Sequence, residues 1–250
     1  MAPGIADRSF NYGDGVFTTM LVRGGQLQLW PLHLSRLQLG AHRLGFGEVD
    51  WQKLQQDVFA AITSAHQVIK LLLSRGEGGR GYSPAGISQP HWYISQSAVP
   101  DYQAAREQGI SIETAELALS VQPLLAGLKH NNRLEQVLLK QEQARRDVDD
   151  LLVLDQLGFV IEAISANVFI YRAGHWYTPE LSRAGVAGVM REHLLSQTAV
   201  SLINWQQHDI KQVEAMFICN ALMGIVPVRQ WDLRTLDIKP VQQFIRQVAC

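Results

Sequence analysis

Cysteine is nearly absent from these 250 residues: Cys219 lies inside an apolar run and Cys250 is the last residue. Two thiols so placed form neither a disulfide framework nor a metal site, and they fit a reducing compartment. Net charge is missing as well, since 22 Lys+Arg stand against 23 Asp+Glu and leave −1. Neither a basic footprint for nucleic acid nor an acidic tail is present. No stretch approaches the roughly 20 apolar residues that span a bilayer, and the opening MAPGIADRSF has no apolar core of signal-peptide length. Internal repeats and low-complexity runs are lacking too. The expectation is a cytoplasmic protein acting on a small molecule, without a metal, nucleic acid or membrane. Its length allows one large domain or two small ones.

Turn signals and hydrophobic periodicity divide the chain into mixed strands and helices. Residues 11–15, NYGDG, read as a loop feeding a strand in which Val16, Thr18 and Met20 alternate with Phe17 and Thr19. Gly24-Gly25 then makes a hairpin turn, and Pro31 starts a helix carrying Leu34, Leu37, Ala41 and Leu44. A second helix over 51–65 precedes strands at 68–74 and 89–97. The polar stretch 98–108 reads as a linker, separating a small domain of residues 1–105 from a larger one of residues 106–250. Beyond it come a strand at 110–119, a helix on which Leu134, Val137 and Leu138 recur at i, i+3, i+4, and hairpins over 151–163 and 167–179. A helix opens at 185–191 with Leu194, Leu195 and Val200 on its apolar face, and 215–227 is a strand entering a tight turn at 220–222.

Lys129 stands just ahead of the 134–139 helix in the run LLAGLKHNNRLEQVLL. Partly apolar surroundings make an ammonium harder to form, so such an amine can be a nucleophile near neutral pH, as a Schiff base requires. The same side chain can instead snorkel to water. Lys70 in VIKLLLS is its competitor, but strand alternation lets the Lys70 head emerge toward solvent. Arg36 carries a fork of donors suited to phosphate, or else belongs to a solvated helix face. In RGEGGRGYSP, residues 75–84, the glycines suggest a phosphate cradle, yet the Lys-Ser/Thr pair of a Walker loop is missing. There Arg75 and Arg80 can approach the carboxylates of a substrate. Backbone N–H groups where GVAGVMR opens its helix, at Val189 and Met190, form an anion seat.

The words LAGLKHNNRLEQVLL resemble the lysine segment of the 4-amino-4-deoxychorismate lyases. These belong to the fold-type IV pyridoxal-phosphate (PLP) enzymes, alongside branched-chain and D-amino-acid aminotransferases. HLSRL matches the family's H-x-x-R-L, and the likeness runs through nearly the whole chain. It implies an α+β, two-domain fold: a small N-terminal domain, a larger barrel-like C-terminal domain, PLP between them, and a homodimer. It further implies that Lys129 binds PLP, that Arg36, Val189 and Met190 hold its phosphate, and that Glu162, in register with Asn167 and Phe169, faces the pyridine nitrogen. Asn220 and Ala221 add hydrogen bonds to phosphate or substrate, although Asn220 reads equally well as a plain turn residue. The R-G-x-G-x-R-G-Y wording implies substrate contacts for Arg80 and Tyr82.

Two departures stand out. Only five residues precede Ala6, where relatives usually have a short strand. Phe17-Thr18-Thr19 occupies a place where aminotransferases carry an aromatic and Glu while lyases commonly carry Thr. Thr18 is therefore expected to be catalytic and to touch substrate, with Thr19 as the alternative. The expected reaction is conversion of 4-amino-4-deoxychorismate to 4-aminobenzoate and pyruvate in folate synthesis. An aminotransferase of the same fold and a cofactor-free binding protein are the rivals.

Overall fold

The structure is a computed structural model that describes residues 4–248. Cys250 lies outside the described residues. The chain divides into two compact units: residues up to Pro100 together with Leu128–Arg133, and Asp101–Gly127 together with everything from Leu134 onward.

The first unit contains α1 (Arg8–Tyr12), β1 (Gly15–Arg23), β2 (Gln26–Leu27), α2 (Trp30–Arg43), α3 (Trp51–Ala60), β3 (His66–Ser74) and β4 (His91–Ser97). Its strands form one sheet in the order β2-β1-β3-β4, with every neighbour antiparallel. Gly24 and Gly25 both take left-handed φ, 60° and 75°, as the two-residue turn between β1 and β2 demands. Val16, Met20 and Val22 of β1 and Ile69, Leu71 and Leu73 of β3 bury one face against Leu37 and Ala41 of α2 and Leu54 and Val58 of α3. Residues 11 and 12, read from sequence as the start of a loop, instead end α1, which is set up by the Asp7 carboxylate accepting the N–H groups of Ser9 and Phe10. Helix α3 stops at Ala60, short of the expected residue 65.

The second unit adds α4 (Gln103–Gln108), β5 (Ile110–Thr114), α5 (Leu134–Gln143), β6 (Asp150–Leu154), β7 (Val160–Ala163), β8 (Asn167–Arg172), β9 (His175–Pro179), α6 (Val189–Gln197), β10 (Val200–Ile203), β11 (Ala215–Asn220), β12 (Gly224–Trp231), β13 (Arg234–Thr235) and α7 (Lys239–Val248). Its nine-stranded sheet runs β10-β9-β8-β11-β12-β5-β6-β7, with β13 on β12. The sheet curls back on itself, since Ala163 at the end of β7 pairs across a tight turn with Ala166, one residue before β8. A barrel-like body results, as the resemblance implied. Phe169 and Phe217 stack at 4.6 Å, and Phe244 of α7 packs on Phe217 and Trp176, each at 5.1 Å.

Three expectations meet a different outcome here. The stretch read as linker contains α4. Val200 begins β10 instead of extending α6, which ends at Gln197. Leu134, Val137 and Leu138 do share a helix, but they are exposed, and Leu139 is the buried residue of α5. Phe244→Ala is expected to lower the unfolding free energy by about 3–5 kcal/mol, the usual range for a buried aromatic. Urea titration of Phe244→Ala against the parent reads this, with exposed Phe10→Ala expected within about 0.5 kcal/mol as the control.

Candidate active site

Lys129 is held by backbone pairing. Phe17 N–H donates to Lys129 O at 2.9 Å, Asn131 N–H donates to Gly15 O at 2.9 Å, and Val16 faces His130 in an antiparallel bridge. Residues 129–131 thus extend the sheet along β1, beyond Val22 and Arg23, where β2 pairs. Opposite residues of an antiparallel pair share a face, so Lys129 lies with Phe17, and Thr19 and Lys70 fall on that face by alternation and register. The Lys129 Nζ stands 4.6 Å from the Phe17 ring centre and the Lys70 Nζ 5.0 Å. Lys70 is exposed, as its alternation suggested, whereas Lys129 is half-buried. Arg133 closes the segment, donating from Nε to His130 O at 2.8 Å and from Nη2 to Leu128 O at 2.9 Å.

Thr18 points the other way, into the face beneath α2, and is fully buried. Its Oγ1 lies 2.6 Å from His33 Nδ1 and accepts a hydrogen bond from Arg36 Nη2 at 2.5 Å. Burial, with the charges of Arg36 and Lys129, pushes His33 down to about 3. Burial and Arg133 bring Arg36 down to about 10, and burial with Arg133 and Lys129 brings His130 down to about 4. Arg36 Nε and His33 Nε2 are buried without a hydrogen-bond partner among the described residues. Such a cluster favours an anion, because like charges raise one another's cost until a counter-charge arrives. Sequence reasoning passed over His33, although it is the histidine of the H-x-x-R-L wording.

The glycine loop is organised by Arg8 and by Arg75, which was expected, with Arg80, to approach substrate carboxylates. Arg75 is buried, with Nε on Asp14 Oδ2 at 2.7 Å, Nη1 on Gly45 O at 2.7 Å and Nη2 on Leu44 O at 2.6 Å. Its guanidinium ties the fold together and is not turned to a ligand. Arg8 donates to the same Asp14 oxygen at 2.8 Å and to the carbonyls of Gly81, Tyr82 and Ser83 at 3.1, 2.8 and 3.3 Å. Burial raises the Asp14 carboxyl, yet the two guanidinium groups outweigh it and hold it below its ordinary value. Arg80 and Tyr82 remain exposed, with the Tyr82 ring edge-on to Tyr12 at 5.3 Å.

In the second unit, Glu162 is buried on β7, where its Oε2 accepts the Val186 N–H at 2.9 Å. Asn167 supports the same turn, donating from Nδ2 to Val186 O at 2.8 Å and accepting the Gly188 N–H at 3.1 Å. A Cβ at Gly188 would stand 2.1 Å from Asn167 Oδ1, so the close approach requires glycine. Among the described residues, helix α6 begins at Val189 without a side-chain cap. The N–H groups of Val189 and Met190 therefore belong to a first turn that neither an intrahelical carbonyl nor a capping side chain satisfies. Asn220 spends its side chain locally, its Oδ1 accepting the N–H groups of Leu222 and Met223 at 2.9 Å each and its Nδ2 donating to Ser165 O at 3.2 Å.

The first unit offers a half-buried amine and a half-buried arginine whose buried Nε has no partner among the described residues, and the second offers a helix start without a side-chain cap and a buried carboxylate; each is a part that a phosphorylated, carbonyl-bearing heterocycle needs. Comparison with known proteins decides the family. The class IV aminotransferase family model matches residues 15–231. The chain belongs to the class IV aminotransferase family. Within it, the chain is 39% identical to the aminodeoxychorismate lyase of Vibrio harveyi over 231 residues, 90% of this chain and 85% of that one. The crystal structure of 4-amino-4-deoxychorismate lyase from Pseudomonas aeruginosa matches with a TM-score of 0.90 at 34% identity, covering 98% of this chain and 95% of that one. A hypothetical aminotransferase from Mycobacterium tuberculosis, in its PLP-bound form, shares the fold with a TM-score of 0.86 at 23% identity, covering 100% of this chain and 92% of that one.

The depressed His33 sets a pH dependence. An unfolded histidine takes up its proton near its model value of 6.5, whereas the folded His33 does so only at about 3. The unfolded state therefore binds more protons across that window, and stability falls as the pH drops through it. His33 alone is expected to cost the apoprotein about 2 kcal/mol between pH 7 and 5, at 1.36 kcal/mol per pH unit below 6.5. Urea unfolding at the two pH values measures the loss, and His33→Asn should remove that share of it.

Proposed function

We propose that the chain is a PLP-dependent lyase converting 4-amino-4-deoxychorismate to 4-aminobenzoate and pyruvate, a step of folate synthesis. The observation that carries this reading is the likeness to two lyases at 39% and 34% identity over 90% and 98% of the chain. PLP, when bound, supplies a carbonyl that condenses with amines and a pyridine ring that takes up carbanion charge. Arg36 and the first-turn N–H groups of Val189 and Met190 are assigned to its phosphate. Glu162, oriented by the Val186 N–H, is assigned to the pyridine nitrogen, where a carboxylate keeps a proton in place. With the Asn220 amide engaged in its own turn, the Ala221 backbone N–H is the donor that this pair offers.

Lys129, as the neutral amine, takes the proton from C4 of the substrate. The C3–O bond then breaks, enolpyruvate leaves with the electron pair of that bond, and the ring becomes aromatic. Thr19 is the hydroxyl assigned to protonate the departing enol, because it shares a face with Lys129. Thr18, expected from sequence to have that role, turns its hydroxyl to His33 and Arg36. Arg80 and Tyr82 are assigned to the substrate carboxylates on a loop whose backbone Arg8 holds. Aromatisation draws the elimination forward without a second half-reaction. The exposed Leu134, Val137 and Leu138 of α5 favour a homodimer, and the buried Cys219, outside any disulfide, suits the cytoplasm.

The test is release of 4-aminobenzoate from 4-amino-4-deoxychorismate by PLP-loaded protein. The parent should form product, Lys129→Ala none, and Thr19→Val about 100-fold less per second, the low end of what a positioned proton donor contributes. Absence of product from the loaded parent, with amino exchange between D-alanine and a keto acid instead, would move the assignment to an aminotransferase.

A further inference from the structure

The hydrogen bonds around Thr18 have one consistent proton arrangement. Arg36 carries donors only, so its Nη2–H uses a lone pair of Thr18 Oγ1. The Thr18 proton then needs an acceptor, and among the described residues its other partner is His33 Nδ1, at 2.6 Å. Nδ1 must accept, which leaves the single N–H proton of a neutral imidazole on Nε2. Protonating Nδ1 would strand the hydroxyl proton and set a second positive charge beside Arg36. Burial opposes that charge as well, in keeping with the depression of His33 to about 3. His33 and Arg36 stand one helical turn apart on α2, so both reach the same strand residue.

We infer that His33 and Thr18 are positioning residues for the cofactor's phosphate anchor: His33 holds the Thr18 proton, and the Thr18 oxygen thereby holds the Arg36 guanidinium in one orientation. This rests on the assignment of Arg36 to the phosphate. An arginine side chain has much rotamer freedom to lose on binding, and one fixed beforehand binds its anion more tightly. With Nη2 on Thr18, the Nε–H stays without a partner among the described residues and is left to the ligand. Residues that act this way affect a phosphorylated cofactor and leave its unphosphorylated form untouched.

The experiment compares the affinities of full-length apoprotein for PLP and for pyridoxal, which lacks the phosphate, by absorbance titration. The ratio reports on the phosphate contact alone, since both molecules react with Lys129 alike. Thr18→Val and His33→Leu should lower the ratio about tenfold or more, as expected for losing a hydrogen bond to a charged group. Thr18→Ser should restore it. His33→Asn, whose Oδ1 takes the place of Nδ1, should keep the ratio above that of His33→Gln, which puts its acceptor at the Nε2 position; this pair decides the matter if His33→Leu does not fold. Arg36→Gln separates the two levels of the argument. A ratio unmoved by Arg36→Gln removes the phosphate assignment itself. A ratio lowered by Arg36→Gln but unmoved by Thr18→Val and His33→Leu, or equal in His33→Asn and His33→Gln, overturns the positioning role alone.

Discussion

Two backbone hydrogen bonds, Phe17 N–H to Lys129 O and Asn131 N–H to Gly15 O, decide what the rest of the first unit can do. They set the register between β1 and the lysine segment, and a slip of one residue would carry Lys129 from the Phe17 face to the Thr18 face. Gly15 is part of that register. A Cβ there would lie 2.3 Å from Asn131 Nδ2 and 2.6 Å from Leu73 O, so the second glycine of the Gly-Asp-Gly wording serves close packing of three strands. Gly127, just before the segment, has its own N–H on Gly185 O and its carbonyl on Ala187 N–H.

Charge is distributed with the same economy. Arg133 acts on Arg36 and His130, Lys129 on both histidines and Arg36 on His33, and with burial these charges keep both histidines neutral. Gathering cations in partly buried surroundings costs the fold energy that an anion offsets on arrival. The Asp14 carboxylate belongs to Arg8 and Arg75, at 2.8 and 2.7 Å, and it anchors the glycine loop. The arginines differ in where their donors end: Arg8 and Arg75 spend theirs on carbonyls and Asp14, whereas Arg36, proposed for the phosphate, gives Nη2 to a threonine and keeps an Nε with no partner among the described residues.

Much of this was legible in the residues because it rests on local rules. The Gly24-Gly25 turn, the helix starting near Pro31 and the exposed head of Lys70 follow from φ preferences and strand alternation, which the chain carries in its own order. What escaped depends on partners distant in sequence. Nothing near Arg8 or Arg75 says which of them ties down residues 81–83, since the answer lies in Asp14 and in the carbonyls of residues 44 and 45. Periodicity put Leu134, Val137 and Leu138 on one helix face, but it records only that they lie together and carries no sign of whether that face turns inward. Val200 was drawn into a helix as a continuation of Leu194 and Leu195, although it lies five and six residues from them, which is no helical period, and a β-branched residue three beyond the end of α6 fits β10.

The adjacent threonines show most sharply how alternation turns sequence into function. They are chemically identical and covalently consecutive, so no reading of residue type could separate them. A strand sends successive side chains to opposite faces, and here the faces differ in everything that matters. One carries Phe17 and the Lys129 amine; the other is roofed by α2 with His33 and Arg36. A hydroxyl on the first face can exchange protons with whatever Lys129 meets. On the second it is fully buried between a neutral imidazole and a guanidinium, where its proton and a lone pair are both committed. The decisive information is the pairing of Val16 with His130, because only that register states which of the two threonines shares a side with the lysine.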